Sequence, residues 1–195
     1  PHNSTAMSSE KTSLAFAGGF VVLGLAMALS GVNLYTDEDK NLETCNFGYT
    51  GIAVIFVFAP LAALPFFNAQ LKIIPAIVLS LGTIAMAVLA LLTGLVFLFP
   101  ISDADGTLGL SYEDDTCYDG NGGNCVCITD VSPDVTFSLI CTKSCSDAAA
   151  GFAALTAFMV LTTIFSFIVS IHSCTTGGCP CCSKSETQQA ASSGL

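Results

Sequence analysis

IIPAIVLSLGTIAMAVLALLTGLVFLF, residues 73–99, runs without a charged side chain. A hydrocarbon layer about 30 Å thick needs about 20 apolar residues wound as helix. Backbone amides cannot stay unpaired in lipid, so such a run predicts a membrane-spanning helix. Three further runs have the same character: LAFAGGFVVLGLAMALSGVNLY at 14–35, GIAVIFVFAPLAALPFF at 51–67 and AAAGFAALTAFMVLTTIFSFIVSI at 148–171. The composition agrees. The chain has 195 residues, 52% of them hydrophobic and 10% charged, where soluble domains carry about 25% charged residues. The first run is longer than the apolar core of a secretory leader and is read as a retained helix. Pro60 and Pro65 predict a bend in the second.

The expected fold class is therefore an all-α membrane protein. It is a left-handed bundle of four transmembrane helices with a small disulfide-rich extracellular or luminal cap. The intervening segments are 1–13 at the N-terminus, a short outer loop at 36–50 and an inner turn at 68–72. An acidic, Cys-rich outer loop follows at 100–147, and a Cys-rich tail at 172–195.

Orientation follows from charge. Basic residues favour the cytosolic face, and Lys11, Lys72 and Lys184 fall on one side. The other side has Lys40 and Lys143 with thirteen acidic residues and six cysteines. Thiols in exposed loops suit an oxidising compartment. Both termini are thus expected in the cytosol, and the acidic loops outside or in a lumen. A plasma-membrane or secretory-pathway location follows. With that orientation the Asn3-Ser4-Thr5 sequon is read as a chance match.

Cys45, Cys117, Cys125, Cys127, Cys141 and Cys145 are the expected disulfide set. Their fifteen possible pairings stay open, although the lone Cys45 of the first loop is expected to join the second. Zinc would need reduced thiols. Asp103, Asp105 and Asp119 are the oxygen ligands that a Ca²⁺ site would use, but an EF-hand register fails at Ile101 and Tyr112. A solvated acidic loop is the competing reading. No other cofactor is expected.

Cys174, Cys179, Cys181 and Cys182 crowd into nine residues after the fourth run. On the cytosolic side, juxtamembrane cysteines read as S-palmitoylation sites. Small residues recur at heptad steps and are expected to let helices approach closely. They are Ala17, Gly24, Ala28 and Gly31 in the first helix, and Ala76, Ser80, Thr83, Ala87, Ala90 and Gly94 in the third. Ala150, Ala154 and Ala157 repeat the idea in the fourth.

The four spans, cytosolic termini, unequal outer loops and cytosolic thiol cluster resemble a tetraspan membrane protein of the tetraspanin or MARVEL type. The resemblance covers about residues 12–183 and is one of layout; the tetraspanin Cys-Cys-Gly motif does not occur. It implies a protein that organises, traffics or modulates other membrane proteins. Five basic residues argue against nucleic-acid binding, and no catalytic constellation is present, so no enzyme is expected. The partners expected are membrane lipids and other integral membrane proteins, or further copies of the chain. A homo-oligomeric channel with an acidic mouth is the alternative. Ser80, Thr83, Thr93, Thr156, Thr162, Thr163 and Ser166 would line it. A building block of a membrane array is a third reading.

Overall fold

A computed structural model describes residues 3–36, 43–67, 73–98, 115–132 and 135–176. Four helices in it are long and apolar enough to cross a membrane. We label them α1 (Asn3–Leu29), α2 (Gly48–Phe67), α3 (Ile73–Leu92) and α4 (Cys145–Thr176). Five strands lie between them: β1 (Asn33–Thr36), β2 (Glu43–Asn46), β3 (Asp115–Asp119), β4 (Cys125–Ser132) and β5 (Val135–Cys141). Asp103, Asp105, Cys179, Cys181 and Cys182 lie outside the described residues.

The strands form one antiparallel sheet of order β2-β1-β5-β4-β3. This corrects the all-α expectation. The apolar run 14–35 predicts helix to Tyr35, but α1 stops at Leu29 and Asn33–Thr36 joins the sheet. The physical reason is a hand-over of backbone hydrogen bonds. Beyond Gly31, the Phe47 amide donates to the Val32 carbonyl at 3.2 Å, and Leu34 pairs with both Cys45 and Cys141. The β3–β4 hairpin turns at GNGG, where Gly122 (φ 125°) and Gly123 (φ 77°) take left-handed backbone that side chains disfavour.

Within α2 the turn Val54–Phe58 is π-helical. Pro60 follows it after Ala59. Its ring crowds the carbonyl four residues back and it supplies no amide, so the helix widens there. The bend expected from the prolines thus takes the form of a wide turn. A second π-helical turn, Thr93–Leu98, continues α3 beyond Leu92 and is counted with it.

At 32 residues, α4 is about 48 Å long at 1.5 Å per residue. That exceeds a hydrocarbon layer, and its first turns stand against the sheet. Ser144 caps it: the Asp147 amide donates to Ser144 Oγ at 3.3 Å, and the Ala148 amide donates to the Ser144 carbonyl at 2.8 Å. The helix therefore begins three residues before the apolar run itself.

The outward faces of the helices are apolar. Val22, Leu25, Phe56, Leu81, Ile84, Leu91, Ile164 and Phe167 are all exposed. A water-soluble bundle would show polar residues there.

Candidate functional site

Two regions concentrate chemistry: the cysteine-bearing sheet, and the seam between α3 and α4. In the sheet, Cys117 bridges Cys127 across β3–β4, and Cys125 bridges Cys145 at the start of α4. Four of the six expected cysteines are thus paired. Cys141 is not, which corrects its place in the disulfide set: it is a buried free thiol. Its strand neighbours explain this. Across the ladders it faces Leu34 and Cys125, and Cys125 is already joined to Cys145. Cys45 stands one strand beyond Leu34. Two strand spacings are about 9.6 Å, too far for a disulfide without backbone movement. Burial pushes the Cys141 thiol up to about 11.

Asp119, one of the three candidate calcium ligands, is an exposed residue at the last position of β3. Its Oδ1 accepts the Cys145 amide at 2.7 Å, so the carboxylate sits at the positive end of α4. Asn121 and Asn124 belong to the hairpin turn, where Gly120 N–H donates to the Asn124 carbonyl at 2.7 Å.

The α3–α4 seam is built on heptads in both helices. On α4 the buried residues are Ala148, Phe152, Leu155, Met159, Thr162, Ser166, Val169 and Ser173. Facing them on α3 are Ala76, Leu79, Met86, Ala90 and Thr93. The expected small-residue stripe on α3 coincides with this seam at Ala76 and Ala90, while Ser80, Ala87 and Gly94 sit one position from the buried Leu79, Met86 and Thr93. Ala76 and Ala90 are buried, Thr83, Ala87 and Gly94 are half-buried, and Ser80 is exposed. On α4, Ala150 and Ala157 are exposed and Ala154 is half-buried. Larger side chains fill the interior because a bundle core needs volume as well as close approach.

Hydroxyls stitch this seam. Ser166 Oγ donates to the Leu79 carbonyl at 3.0 Å and Ser170 Oγ to the Ala76 carbonyl at 2.9 Å. Thr83 Oγ1 donates to Ser166 Oγ at 3.0 Å, and Thr93 and Thr156 hydroxyls lie 3.3 Å apart. Thr162 and Thr163 return to the carbonyls of Phe158 and Met159 on their own helix. Ser80 donates to Ile77 in the same way.

The first-helix stripe meets α2 by glycine contact. A Cβ added at Gly24 would lie 2.7 Å from the Gly51 carbonyl oxygen, and one at Gly31 would lie 2.6 Å from Gly48 Cα. Ala17 is buried and Ala28 half-buried on the same helix. The α1–α4 contact is aromatic: Phe16 and Phe20 both meet Phe165 edge-on, with centroids 5.7 and 4.9 Å apart.

On the outer side of the α3–α4 seam is an apolar groove of about 490 Å³. Ala87, Gly94, Leu95, Thr156, Val160 and Ile164 line it. It forms because the half-buried small residues of α3 leave room beside the packed heptads.

Cys174 is half-buried in the last turns of α4. Against protein families, curated proteins and solved structures, the chain finds no match. The tetraspan likeness accordingly stands on the four helices.

Proposed function

We propose that the chain is a non-enzymatic integral membrane scaffold or accessory subunit. It binds and organises other membrane proteins through its outer sheet and its helix faces. One observation carries this reading. Hydroxyls of α3 and α4 bond to each other across the seam, while the large side chains on the outward faces are apolar and border a groove floored by small residues. Such a surface offers packing, and packing is what joins helices in lipid.

The orientation that suits this role places both termini in the cytosol and the sheet outside or in a lumen. Lys11, Lys72 and Lys184 support it, as do the two disulfides in the sheet. A tetraspanin-like or MARVEL-like membership would fit the same layout. Cys174, with Cys179, Cys181 and Cys182, would then carry thioester-linked acyl chains, each adding about 0.8 kcal/mol per buried CH₂. The channel reading draws no support from Thr83, Thr93, Thr156 and Ser166, whose hydroxyls bond between α3 and α4 of one protomer.

Native mass spectrometry of the protein extracted from its own membrane in mild detergent tests the proposal. A fixed heteromeric mass is the expected result. A closed ring of identical copies that conducts ions in a bilayer would overturn it. Mass shifts on the 174–182 peptide that hydroxylamine removes are expected; an unmodified peptide from native material would remove acylation from the reading.

A further inference from the structure

Where the sheet meets α4, Cys125, Cys141 and Cys145 share one bond. Cys125 is bridged to Cys145, with Cα atoms 4.6 Å apart. On the next strand Cys141 is the direct register partner of Cys125. Such partners in an antiparallel pair have Cα atoms about 4.5 or 5.5 Å apart, inside the range that a disulfide spans. The same sheet already carries one cross-strand bridge of this kind, between the register partners Cys117 and Cys127. Cys125 thus has two partners in reach, one in the sheet and one on the helix.

We infer that Cys141 and Cys145 compete for Cys125, so that the cap exchanges a sheet-to-helix disulfide for a sheet-internal one. The Cys141 thiol gives its proton to water, and its thiolate attacks Sγ of Cys125. The Cys125–Cys141 bond forms as the Cys125–Cys145 bond breaks. Cys145 departs as a thiolate and takes a proton from water. The number of disulfides is unchanged, so no oxidant or reductant enters. The departing sulfur sits at the start of α4, where the helix dipole favours negative charge.

Three charged groups bear on this exchange. Asp119, bonded to the Cys145 amide, and Asp147, in the first turn of α4, oppose the departing anion. Lys143 is exposed two residues beyond Cys141. At rest the buried Cys141 is almost wholly protonated, which makes the exchange slow at neutral pH. Its products differ in shape: the covalent tie between β4 and α4 is lost, and the half-exposed Cys145 becomes the accessible thiol of the cap.

Trypsin reads the two states. It cuts after Lys143, and the flanking cleavages after Lys72 and Lys184 leave peptides 73–143 and 144–184. The full chain, made in an oxidising secretory pathway and purified in detergent without reductant, is held at neutral pH or at about pH 9.5. It is then acid-quenched, alkylated and digested. Cys125–Cys145 keeps the peptides joined; Cys125–Cys141 frees them, with alkyl on Cys145. The expected result is a freed fraction of at least about a tenth at the higher pH, with Cys117–Cys127 intact. Joined peptides with alkylated Cys141 at both pH values would overturn the inference, as would a Cys45–Cys141 bridge. In a Cys145→Ser variant, Cys125–Cys141 is expected to form; alkylation of both thiols would overturn it. If that variant misfolds, the wild-type pH pair decides.

Discussion

The Asp119 carboxylate receives the amide hydrogen of Cys145 at 2.7 Å, joining the sheet's edge strand to the first residue of α4. It satisfies a donor that the helix cannot pair internally. Asp119→Ala is therefore expected to lower stability by about 1 kcal/mol, in the range of lost N-terminal caps. Asp119→Asn should recover part of this, because the amide oxygen still accepts. Thermal unfolding in detergent, with both disulfides intact, checks it; equal midpoints for all three proteins would count against the bond.

Glycine contact between α1 and α2 makes a paired prediction. At Gly24 a new Cβ meets the Ile55 side chain and, at 2.7 Å, the Gly51 carbonyl oxygen, which cannot yield without parting the helices. Gly18 has nothing within 4 Å of a new Cβ. Gly24→Ala should cost about 1–3 kcal/mol by overpacking. Gly18→Ala should be neutral or slightly stabilising, since alanine favours helix. The two midpoints compared side by side decide it.

Ser166 donates to the Leu79 carbonyl and accepts from Thr83, joining α4 to α3. Interhelical bonds of this kind are worth about 0.6 kcal/mol, reaching about 1.7. Ser166→Ala is expected to destabilise within that range. Ser80→Ala, at an exposed site bonded to its own helix, should leave the midpoint unmoved. Equal losses at both sites would refute the α3–α4 seam.

Burial of Cys141 sets a pH dependence. Its thiol ionises at about 11 in the fold against 9.0 when free. The folded chain thus holds the proton more tightly than the unfolded chain. The stabilisation is complete below about pH 9, falls through the window from about 9 to about 11, and is lost above it. The midpoint difference between wild type and Cys141→Ala should shrink across that window and stay flat from pH 6 to 8. A difference that grows with pH would reverse the assignment.

Periodic apolarity made the four helices legible, because lipid imposes one pattern on any helix that crosses it. The heptad period was legible too, but not which residues of each heptad face inward. Ser80, Ala150 and Ala157 lie on the stripes read from size, yet they are exposed. Apolar residues cover both the core and the outward face, so the moment that marks the inside of a soluble helix is absent. The sheet left a clear trace. CVCITDVS and VTFSLIC are rich in β-branched and aromatic residues, and GNGG is a turn composition. Its cysteine and acid content marks the same segment as a disulfide-rich cap, and that composition is silent on strand pairing. The capping pair Ser144–Asp147 likewise marked the true start of α4. The free state of Cys141 depends on a strand from a distant loop lying beside it, which no local pattern encodes.

The β1–β5 ladder pairs residues 34–36 with 139–141. It joins a strand laid down between the first two helices to one made just before the fourth. During synthesis the β1–β2 hairpin must therefore wait, with its inner edge unpaired, while α2 and α3 are made and placed. Only then can β5 fill the gap and the cysteines around it find their register. Closure of the cap therefore follows the first three helices and joins two segments that flank the middle pair.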